Sequence, residues 1–554
     1  MLEGSQAVGP GGGIHEAVLY WRGPAQGGTM TESRISRRQV LAGGLGGAAA
    51  FGLAAMGGLR SSGAETVRRA AKVKAAGSDL GAVEHVVFLM MENRSFDHLF
   101  GTMSGVRGFD DHSSGNDGVF AQSWPGGASS TLLPFHLNTK NSMAECTFDL
   151  THNWLPQHQC WNNGAMDSFV STHTSVEGPN GVLTMGYYKK SDIPFLYDLA
   201  NKFTIGDGYH CSVLGPTHPN RLFHMSGTND PDGVAGGPIL VTNSSPTKKF
   251  TTSWSTMPEA LNAASVSWRV YNPSGSSYDI TSNTSMLLNS NPLQYFTQYQ
   301  NPASTLYQNA FSYYGPNVTN ALSNPNGPDD FGHDVGTGQL PAVSWIIPPV
   351  GFDQHPPAPP VLGEWYIQQV LNTLVANPAV WAKTVLFISW DENDGFFDHV
   401  APPVAPSGTA GEYLTGTLPP DANGVAGPIG LGVRVPMLVV SPFSVGGWVC
   451  SETFDHTSQM RFLETRFGVT APNISSWRRG VTGDLTATLP VLDNPVTKVP
   501  RLPVVSPSTT IAPISTECVA PQLIELNVPQ GPYAIKKHQK MPTQKAGTRP
   551  HTPN

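Results

Sequence analysis

Four long apolar runs constrain the fold of this chain more than any other feature of its sequence. The first run, residues 83–91, reads VEHVVFLMM. Shorter runs follow at residues 343–347, 385–389 and 437–441. Strands buried on both faces of a parallel sheet have this continuous apolar character. Residues 362–377 and 453–467 have helical periodicity and length, and strands spaced by helices predict an α/β fold, in which a mostly parallel central sheet is flanked by helices.

Composition indicates a large core joined by long loops. Of the 554 residues, 39% are hydrophobic and 9% aromatic, which excludes a wholly disordered chain. The 59 glycines and 48 prolines indicate extensive loops. Residues 228–340 are rich in Ser, Asn, Thr, Tyr and Pro, which predicts an excursion from the sheet that forms a cap or lid. Residues 402–428 are rich in Gly and Pro, which predicts a loop.

Charge and cysteine content exclude two further classes of protein. The formal net charge of −8 argues against nucleic acid as the main partner. Five cysteines in a chain of this length exclude a fold built on disulfides. Cys146 and Cys160 could pair with each other, and the sequence leaves the pairing open.

The N-terminus predicts an export signal. SRRQVL at residues 36–41 opens an uncharged stretch that runs from 40 to 59 and is only moderately apolar, whereas a transmembrane helix is normally richer in large aliphatic residues. A charged start, a weak apolar stretch and small residues at 62–64 predict a twin-arginine signal, so we expect the twin-arginine machinery as a partner. An uncleaved anchor is the alternative. Met30 is a second candidate start.

Two strand ends are predicted to bring oxygen ligands to one edge of the sheet. Glu92 and Asn93 follow the first apolar run, and Asp391 and Glu392 follow the run at 385–389. The carboxyl ends of parallel strands meet at one edge, where ligands gather. Carboxylate and amide oxygens suit a divalent cation, although they do not identify it. The alternative is that these residues cap helices.

A third segment offers a nucleophile. GDGYHCSVLGPTHPNR, residues 206–221, predicts a sharp turn into a helix at 220–225, because prolines flank Thr217 closely. A hydroxyl at such a turn lies near free backbone N–H groups and the positive helix end, which bind phosphate and stabilise an alkoxide. Asn220 and Arg221 could hold phosphate oxygens or support the site from behind. The alternative is that Thr217 only caps the helix.

These motifs resemble those of the bacterial phosphoesterase family, which contains phosphatidylcholine-type phospholipases C and related acid phosphatases. The resemblance rests on MENRSFDH at 91–98, GPTHPNR at 215–221 and DENDGFFDH at 391–399. THNWLPQH at 151–158, MGYY at 185–188 and DIPF at 192–195 are similar to the phospholipase branch, most closely to its mycobacterial members. The resemblance runs in order from about residue 83 to 469.

The resemblance implies an alkaline-phosphatase-like fold and a set of site residues. The expected metal ligands are Glu92, Asn93, Asp391 and Glu392. Thr217 occupies the position of the nucleophile, which is Ser in the phosphatases and Thr in the phospholipases. The histidines expected near the phosphate are His152 and His355. His158 and His399 are weaker candidates for phosphate-binding or supporting roles.

The function implied is that of an exported phospholipase C acting on phosphatidylcholine, with sphingomyelin as a second candidate substrate, at a membrane surface. Thr217 would attack phosphorus, a histidine would protonate the leaving diacylglycerol, and water would release phosphocholine. Aromatic side chains could contact the choline or belong to the core, namely Trp154, Trp161, Tyr187 and Tyr188. An acid phosphatase and an inert cell-surface lipid-binding protein are the alternatives.

We expect the chain to be divided into three parts. Residues 1–80 hold the extension, export signal and spacer, residues 81–500 form the phosphoesterase domain, and residues 501–554 form a Pro-rich, partly basic tail. We expect this tail to be solvated. The final location is the cell wall, the cell surface or the medium, and the oligomeric state stays open.

Overall fold

The computed structural model describes residues 63–113, 117–139, 144–243, 252–272, 290–311, 313–314, 330–349, 351–492, 535 and 538–553. The predicted export signal and most of the C-terminal tail lie outside these residues. None of the helices within them has the length and apolar character needed to cross a membrane.

One sheet of eight strands organises the described part of the chain. The strands are β1 His85–Met91, β2 Thr204–Gly206, β3 Trp268–Asn272, β4 Tyr313–Tyr314, β5 Val343–Ile346, β6 Thr384–Trp390, β7 Met437–Val440 and β8 Val449–Cys450. Their order across the sheet is β8-β2-β7-β6-β1-β5-β3-β4. Only β7 is antiparallel to its neighbours, and the other pairs are parallel. The predicted α/β fold with a mostly parallel sheet is confirmed.

Helices flank this sheet. They are α1 Gly63–Ala70, α2 Phe96–Phe100, α3 Trp154–Trp161, α4 Phe169–Glu177, α5 Pro194–Lys202, α6 Thr217–Ser226, α7 Met257–Ala263, α8 Thr305–Phe311, α9 Asp330–Thr337, α10 Pro360–Ala376, α11 Pro378–Trp381, α12 His456–Phe467 and α13 Ser476–Val481. Two short ribbons pair Gln122–Ser123 with Thr131–Leu132 and Phe135–His136 with Gly186–Tyr187.

The four apolar runs form strands β1, β5, β6 and β7 at the heart of the sheet. Every residue of β6 is buried, and so is every residue of β1 after His85. Phe88 of β1 stacks on Phe387 of β6 with ring centroids 5.5 Å apart. Continuous burial on both faces explains why these strands read as unbroken apolar segments.

Both predicted helices are present. α10 begins at Pro360, two residues before its predicted start. α12 begins at His456 because Asp455 caps it: the Asp455 carboxylate accepts a hydrogen bond from the backbone N–H of Thr457. A capping side chain ends the preceding extended segment and thus sets the first helical residue.

The prediction that residues 228–340 form an excursion from the sheet is wrong in part. This segment supplies β3 and β4, the last two strands on one side of the sheet. β3 was missed because it is not continuously apolar: Arg269 lies within it and pairs with Asp334 of α9, with Nη1 and Oδ2 2.5 Å apart. The Gly/Pro-rich loop at 402–428 has only one short 3-10 turn, Pro420–Ala422.

The cysteines do not form the pair that the sequence suggested. Cys160, Cys211 and Cys450 are buried free thiols. Cys146 is disulfide-bonded. Pairing of Cys146 with Cys160 is therefore wrong, and Cys518 lies outside the described residues.

Candidate active site

The ends of β1 and β6 meet as the sequence predicts. The two strands pair in parallel, with Met91 opposite Trp390. The backbone N–H of Asp391 donates to the carbonyl of Met91 at 3.1 Å. The backbone N–H of Asn93 in turn donates to the Asp391 carboxylate at 3.2 Å. The polar residues that follow the two strands are therefore in direct contact.

Two buried oxygens at this edge have no hydrogen-bond partner. Asn93 has a φ of +60°, a left-handed conformation that Asn tolerates. Its Nδ2 donates to Asp394 Oδ1 at 3.3 Å, whereas its Oδ1 has no partner. Glu392 Oε2 accepts the backbone N–H of Asp394, and Glu392 Oε1 is unpartnered. An unpartnered buried polar atom costs about 1–3 kcal/mol, so these oxygens fit a divalent cation.

The charge balance of the cluster also fits a cation. Burial and repulsion from Glu92 raise the pKa of Asp391 to about 6, although the Arg221 guanidinium opposes this. Burial raises the pKa of Glu392 well above its ordinary value, with His152 acting against it. These raised pKa values mean that the carboxylates have too little positive charge around them. Next to these carboxylates, ligand atoms of Asp149, His152 and Asp394 lie within 4.8 Å of one another and could also hold a metal ion.

Thr217 is the first residue of α6 and lies one helical turn before Arg221, whose guanidinium binds two of the carboxylates. α6 begins at Thr217 rather than at residue 220; Pro216 is the residue before it, and no side chain caps the helix. The capping role considered for Thr217 is therefore absent. Arg221, four residues on, lies on the same face of the helix. Its Nε donates to Asp391 Oδ2 at 2.9 Å and its Nη2 to Glu92 Oε1 at 3.1 Å.

Arg221 and Asn220 support the site from behind. The Arg221 guanidinium donates its hydrogen bonds to two predicted metal ligands, Asp391 and Glu92. Asn220 Oδ1 accepts the N–H groups of Ser212 and Val213 at 2.8 and 2.9 Å. Its Nδ2 donates to the carbonyl of Gly215 at 2.9 Å. Asn220 therefore shapes the turn that leads into Thr217, and of the two roles predicted for these side chains the supporting one matches their contacts.

His152 lies beside the predicted metal ligands. Its Nδ1 is 2.9 Å from Asp394 Oδ1, and its Nε2 is 3.7 Å from Glu392 Oε1. Burial alone would lower the pKa of His152, but the Glu392 and Asp394 carboxylates raise it well above its ordinary value. The carboxylates thus favour the imidazolium form of His152, which can donate a proton.

His355 faces His152, with ring centroids 6.2 Å apart. Burial opposes its charged form, but the Asp149 and Glu92 carboxylates outweigh burial and raise the pKa of His355 to about 9. The two histidines expected near the phosphate thus form a cationic pair next to the strand ends.

His158 lies apart from this cluster. Both of its ring nitrogens contact backbone carbonyls, Nδ1 that of Trp154 at 2.7 Å and Nε2 that of Pro428 at 2.9 Å. Burial lowers its pKa. These contacts indicate a structural residue.

His399 belongs to a separate buried ion-pair network. Its Nδ1 is 2.6 Å from Asp97 Oδ2. Arg434 contacts both Asp97 and Asp398, at 3.0 and 3.1 Å. Asp97, Asp398 and His399 have the spacing of a metal site, but the guanidinium and backbone N–H groups already occupy both carboxylates. This network is therefore complete without a cation.

Sequence reasoning missed several residues that contact the site. Ser290 donates its hydroxyl to Glu92 Oε1 at 2.5 Å, yet it lies in the Ser/Asn-rich segment where no motif marks it. His456 Nε2 is 2.7 Å from the carbonyl of Asp391, at the start of α12. Asp394 contacts both Asn93 and His152. Only Asp394 had a usable signal, because it is a third acid in the motif that begins at Asp391.

The candidate choline-binding aromatics are mostly core residues. Trp154, Tyr187 and Tyr188 are no more than 5% exposed. Tyr188 donates its hydroxyl to the carbonyl of Ala144 at 2.7 Å. Trp154 packs on His158 with ring centroids 4.1 Å apart. Trp161 is half-buried.

Comparisons with known proteins identify relatives that span this site. The phospholipase C A of Mycobacterium tuberculosis is 41% identical over 83% of this chain and 88% of its own length. The non-hemolytic phospholipase C of Burkholderia pseudomallei is 45% identical, covering 73% of this chain but only 58% of its own length. Among solved structures, the lipoteichoic acid synthase LtaP of Listeria monocytogenes matches weakly, with 10% identity and a TM-score of 0.33 over 76% of this chain and 81% of that one.

A family model described as the Phosphoesterase family matches residues 83–470, from the start of β1 to just beyond α12. That range contains both strand ends, Thr217 and the paired histidines. The chain therefore belongs to the phosphoesterase family.

Proposed function

We propose that this protein is an exported phospholipase C that hydrolyses phosphatidylcholine to diacylglycerol and phosphocholine. The observation that carries the proposal is that Thr217 stands one helical turn from Arg221, which binds a carboxylate cluster with two unpartnered buried oxygens. The names of the two similar bacterial enzymes support the phospholipase C reaction. Sphingomyelin is a second candidate substrate.

Glu92, Asn93, Asp391 and Glu392 would hold a divalent cation. When bound, the ion would neutralise a phosphodiester anion and lower the pKa of a neighbouring hydroxyl. Arg221 fixes two of these carboxylates and lies on the same helix as Thr217. The Arg221 guanidinium therefore holds Thr217 at a fixed distance from the proposed metal ligands.

Thr217 supplies the attacking oxygen. Its Oγ1, after losing its proton to solvent, attacks phosphorus in line and forms a phosphocholine ester of Thr217, while the bond from phosphorus to the diacylglycerol oxygen breaks. In the first turn of α6 the N–H of His218 donates to Asn243 Oδ1 at 2.8 Å, that of Asn220 donates to the carbonyl of Pro216, and Pro219 has none. The backbone N–H of Thr217, at the positive end of the helix, would therefore face the developing charge. Asn220 holds the preceding turn, so the hydroxyl meets the phosphate in one orientation.

The histidine pair supplies the proton for the leaving group. Neighbouring carboxylates raise the pKa of both His152 and His355 and favour their cationic forms. One of them protonates the departing diacylglycerol oxygen. In the second step the same residue, now neutral, accepts a proton from the water that attacks phosphorus. The bond from Thr217 Oγ1 to phosphorus breaks, Oγ1 regains a proton from solvent, and phosphocholine is released.

The nucleophile is tested with substitutions at Thr217. Thr217→Ala removes the attacking oxygen and should lower turnover of phosphatidylcholine at least about 1,000-fold, whereas Thr217→Ser should keep partial activity. Thr228→Ala, a buried threonine beyond the other end of α6, is the matched control and should leave turnover near normal. Near-normal turnover by purified Thr217→Ala would show that Thr217 is not the nucleophile.

Substrate class is tested on the same preparations. A phosphomonoesterase of this family would prefer a simple aryl phosphate to a phosphocholine diester. We expect the reverse preference, with release of phosphocholine. Lipid binding without any release in the presence of added divalent cations would instead favour an inert binding protein.

A further inference from the structure

The last described residues, 538–553, lie against the domain rather than in solvent. Gln544 is only 6% exposed. Its Nε2 donates to the carbonyls of Met103 and Val106 at 2.7 and 2.9 Å, and its Oε1 accepts the backbone N–H of Asp110 at 2.8 Å. One side chain of the tail thus makes three hydrogen bonds to a single loop, residues 101–111, and the expectation of a solvated tail is wrong here.

The tail also extends the edge of the sheet. β8 is the outermost strand on its side. The backbone N–H of Val449 donates to the carbonyl of Pro550, and the N–H of Thr552 donates to the carbonyl of Val449, both at 2.9 Å. These bonds place His551 beside Val449 as a parallel bridge. Addition of an extended peptide to an exposed sheet edge is a common mode of peptide recognition.

The 101–111 loop is shaped to admit this peptide. Gly105 has a φ of +71°, and a Cβ there would lie 2.9 Å from the backbone nitrogen of Arg549. A Cβ on Gly108 would clash with the carbonyl oxygen of Gly101 within the loop itself and would lie 2.9 Å from Gln544 Oε1. Arg549 then reaches the carbonyls of Ser104 and Ala200 at 2.7 and 2.8 Å. Glycine stands where the tail passes closest to the loop.

The same loop holds the network beneath the candidate active site. The carbonyl of Arg107 accepts a hydrogen bond from Arg434 at 2.7 Å, and its N–H donates to Asp207 at 2.9 Å. Arg434 binds Asp398, which follows the Asp391–Asp394 segment by four residues. The tail is thereby connected to the predicted metal-binding segment through one loop and one buried arginine.

We propose that the groove between the 101–111 loop and β8 is a recognition site for an extended peptide, with residues 538–553 as its occupant. Occupancy holds the loop, and through Arg434 the 391–399 segment, in the active geometry. Recognition depends on backbone pairing plus the side chains of Gln544 and Arg549. This inference does not depend on which phosphoester is the substrate.

The test uses the full chain, folded first and cut afterwards. A protease site is inserted between Cys518 and Ile535, so that a disulfide involving Cys518 cannot retain the released fragment. The wild-type fragment should stay bound through size-exclusion chromatography. In Gln544→Glu the fragment should dissociate, because a carboxylate replaces the amide donor opposite two carbonyl oxygens, weakening binding at least about tenfold.

Synthetic peptides then complete the test. The cut Gln544→Glu enzyme should lose activity, and a wild-type 538–553 peptide should restore it in a saturable manner. A peptide with Lys545→Ala, an exposed side chain, should restore it equally, and a Gln544→Glu peptide should not. The proposal is overturned if the wild-type fragment elutes alone with activity retained, or if the wild-type and Gln544→Glu peptides bind with the same affinity.

Discussion

Asn93 shows most clearly how one residue can indicate a ligand site. Its left-handed backbone turns the chain away from β1, and its Nδ2 is held by Asp394 while its Oδ1 has no partner. The amide is thus fixed through its nitrogen, which leaves its buried acceptor oxygen for a cation. The preceding residue, Glu92, accepts hydrogen bonds from Arg221 and Ser290, and the motifs reveal only the first of these two donors.

Replacement of Asn93 tests the cation site without reference to catalysis. Asn93→Ala removes one proposed ligand and should weaken binding of a divalent cation at least about tenfold, measured by calorimetry on metal-free protein. The matched control is Asn163→Ala, an exposed asparagine with a similar φ of +54°, which separates backbone strain from ligand loss. Equal affinity in Asn93→Ala and wild type would contradict the predicted ligand set.

At the scale of elements, the turn into α6 is the most tightly held segment near the site. Asn220 fixes the turn from inside the helix. Ser212 donates its hydroxyl to Asp455 at 2.8 Å, and Arg478 contacts the same carboxylate at 2.5 Å. The capping residue of α12 thereby positions the residues that precede Thr217. The proline pattern predicted the turn, but these partners lie more than 200 residues away in sequence and carried no local signal.

Loosening this turn should affect chemistry more than binding. Ser212→Ala removes the hydrogen bond to Asp455, so Thr217 should spend less time in the attacking orientation. We expect kcat to fall about tenfold with little change in KM. Ser226→Ala, a buried serine at the opposite end of α6, should leave kcat unchanged. A parallel loss in both variants would indicate general destabilisation rather than positioning.

The sequence predicted the elements that are buried on all sides and missed those at the edge. Continuous apolar runs revealed β1, β5, β6 and β7, because full burial leaves no polar positions. β3 carries Arg269 and β2 has three residues, so neither has a readable pattern. The ligand set could be predicted because it follows two such strands. The contact of Ser290 with Glu92 could not, since it depends on how a distant segment folds back.

At the scale of the whole molecule, two networks of buried charge lie beneath one edge of the sheet and differ in completeness. The network of Arg434, Asp97, Asp398 and His399 satisfies its carboxylates internally. The cluster at the strand ends leaves two buried oxygens without a hydrogen-bond partner. This difference distinguishes a structural network from a ligand site. The tail stabilises the first network through the 101–111 loop.

The structural network predicts a pH dependence of stability. Burial disfavours charged His399, but Asp97 and Asp111 raise its pKa to about 9. A histidine whose pKa is raised in the folded state stabilises that state fully at pH values below its unfolded-state pKa of about 6.5. This contribution to stability is lost as the pH rises through 9. From pH 6.5 to 9, the free energy of unfolding of the wild type should therefore fall by up to about 3 kcal/mol more than that of His399→Gln. Denaturant titrations at several pH values measure this, and parallel pH curves for the two proteins would contradict the network.

The most direct test of the central claim is the identity of the water-soluble product released from phosphatidylcholine. Metal-free enzyme in chelator should release nothing. Addition of divalent cations should yield phosphocholine and diacylglycerol in equal amounts, at a rate that exceeds the hydrolysis of an aryl phosphate. Undiminished release in chelator, release of free choline with phosphatidic acid, or faster turnover of the aryl phosphate would contradict it.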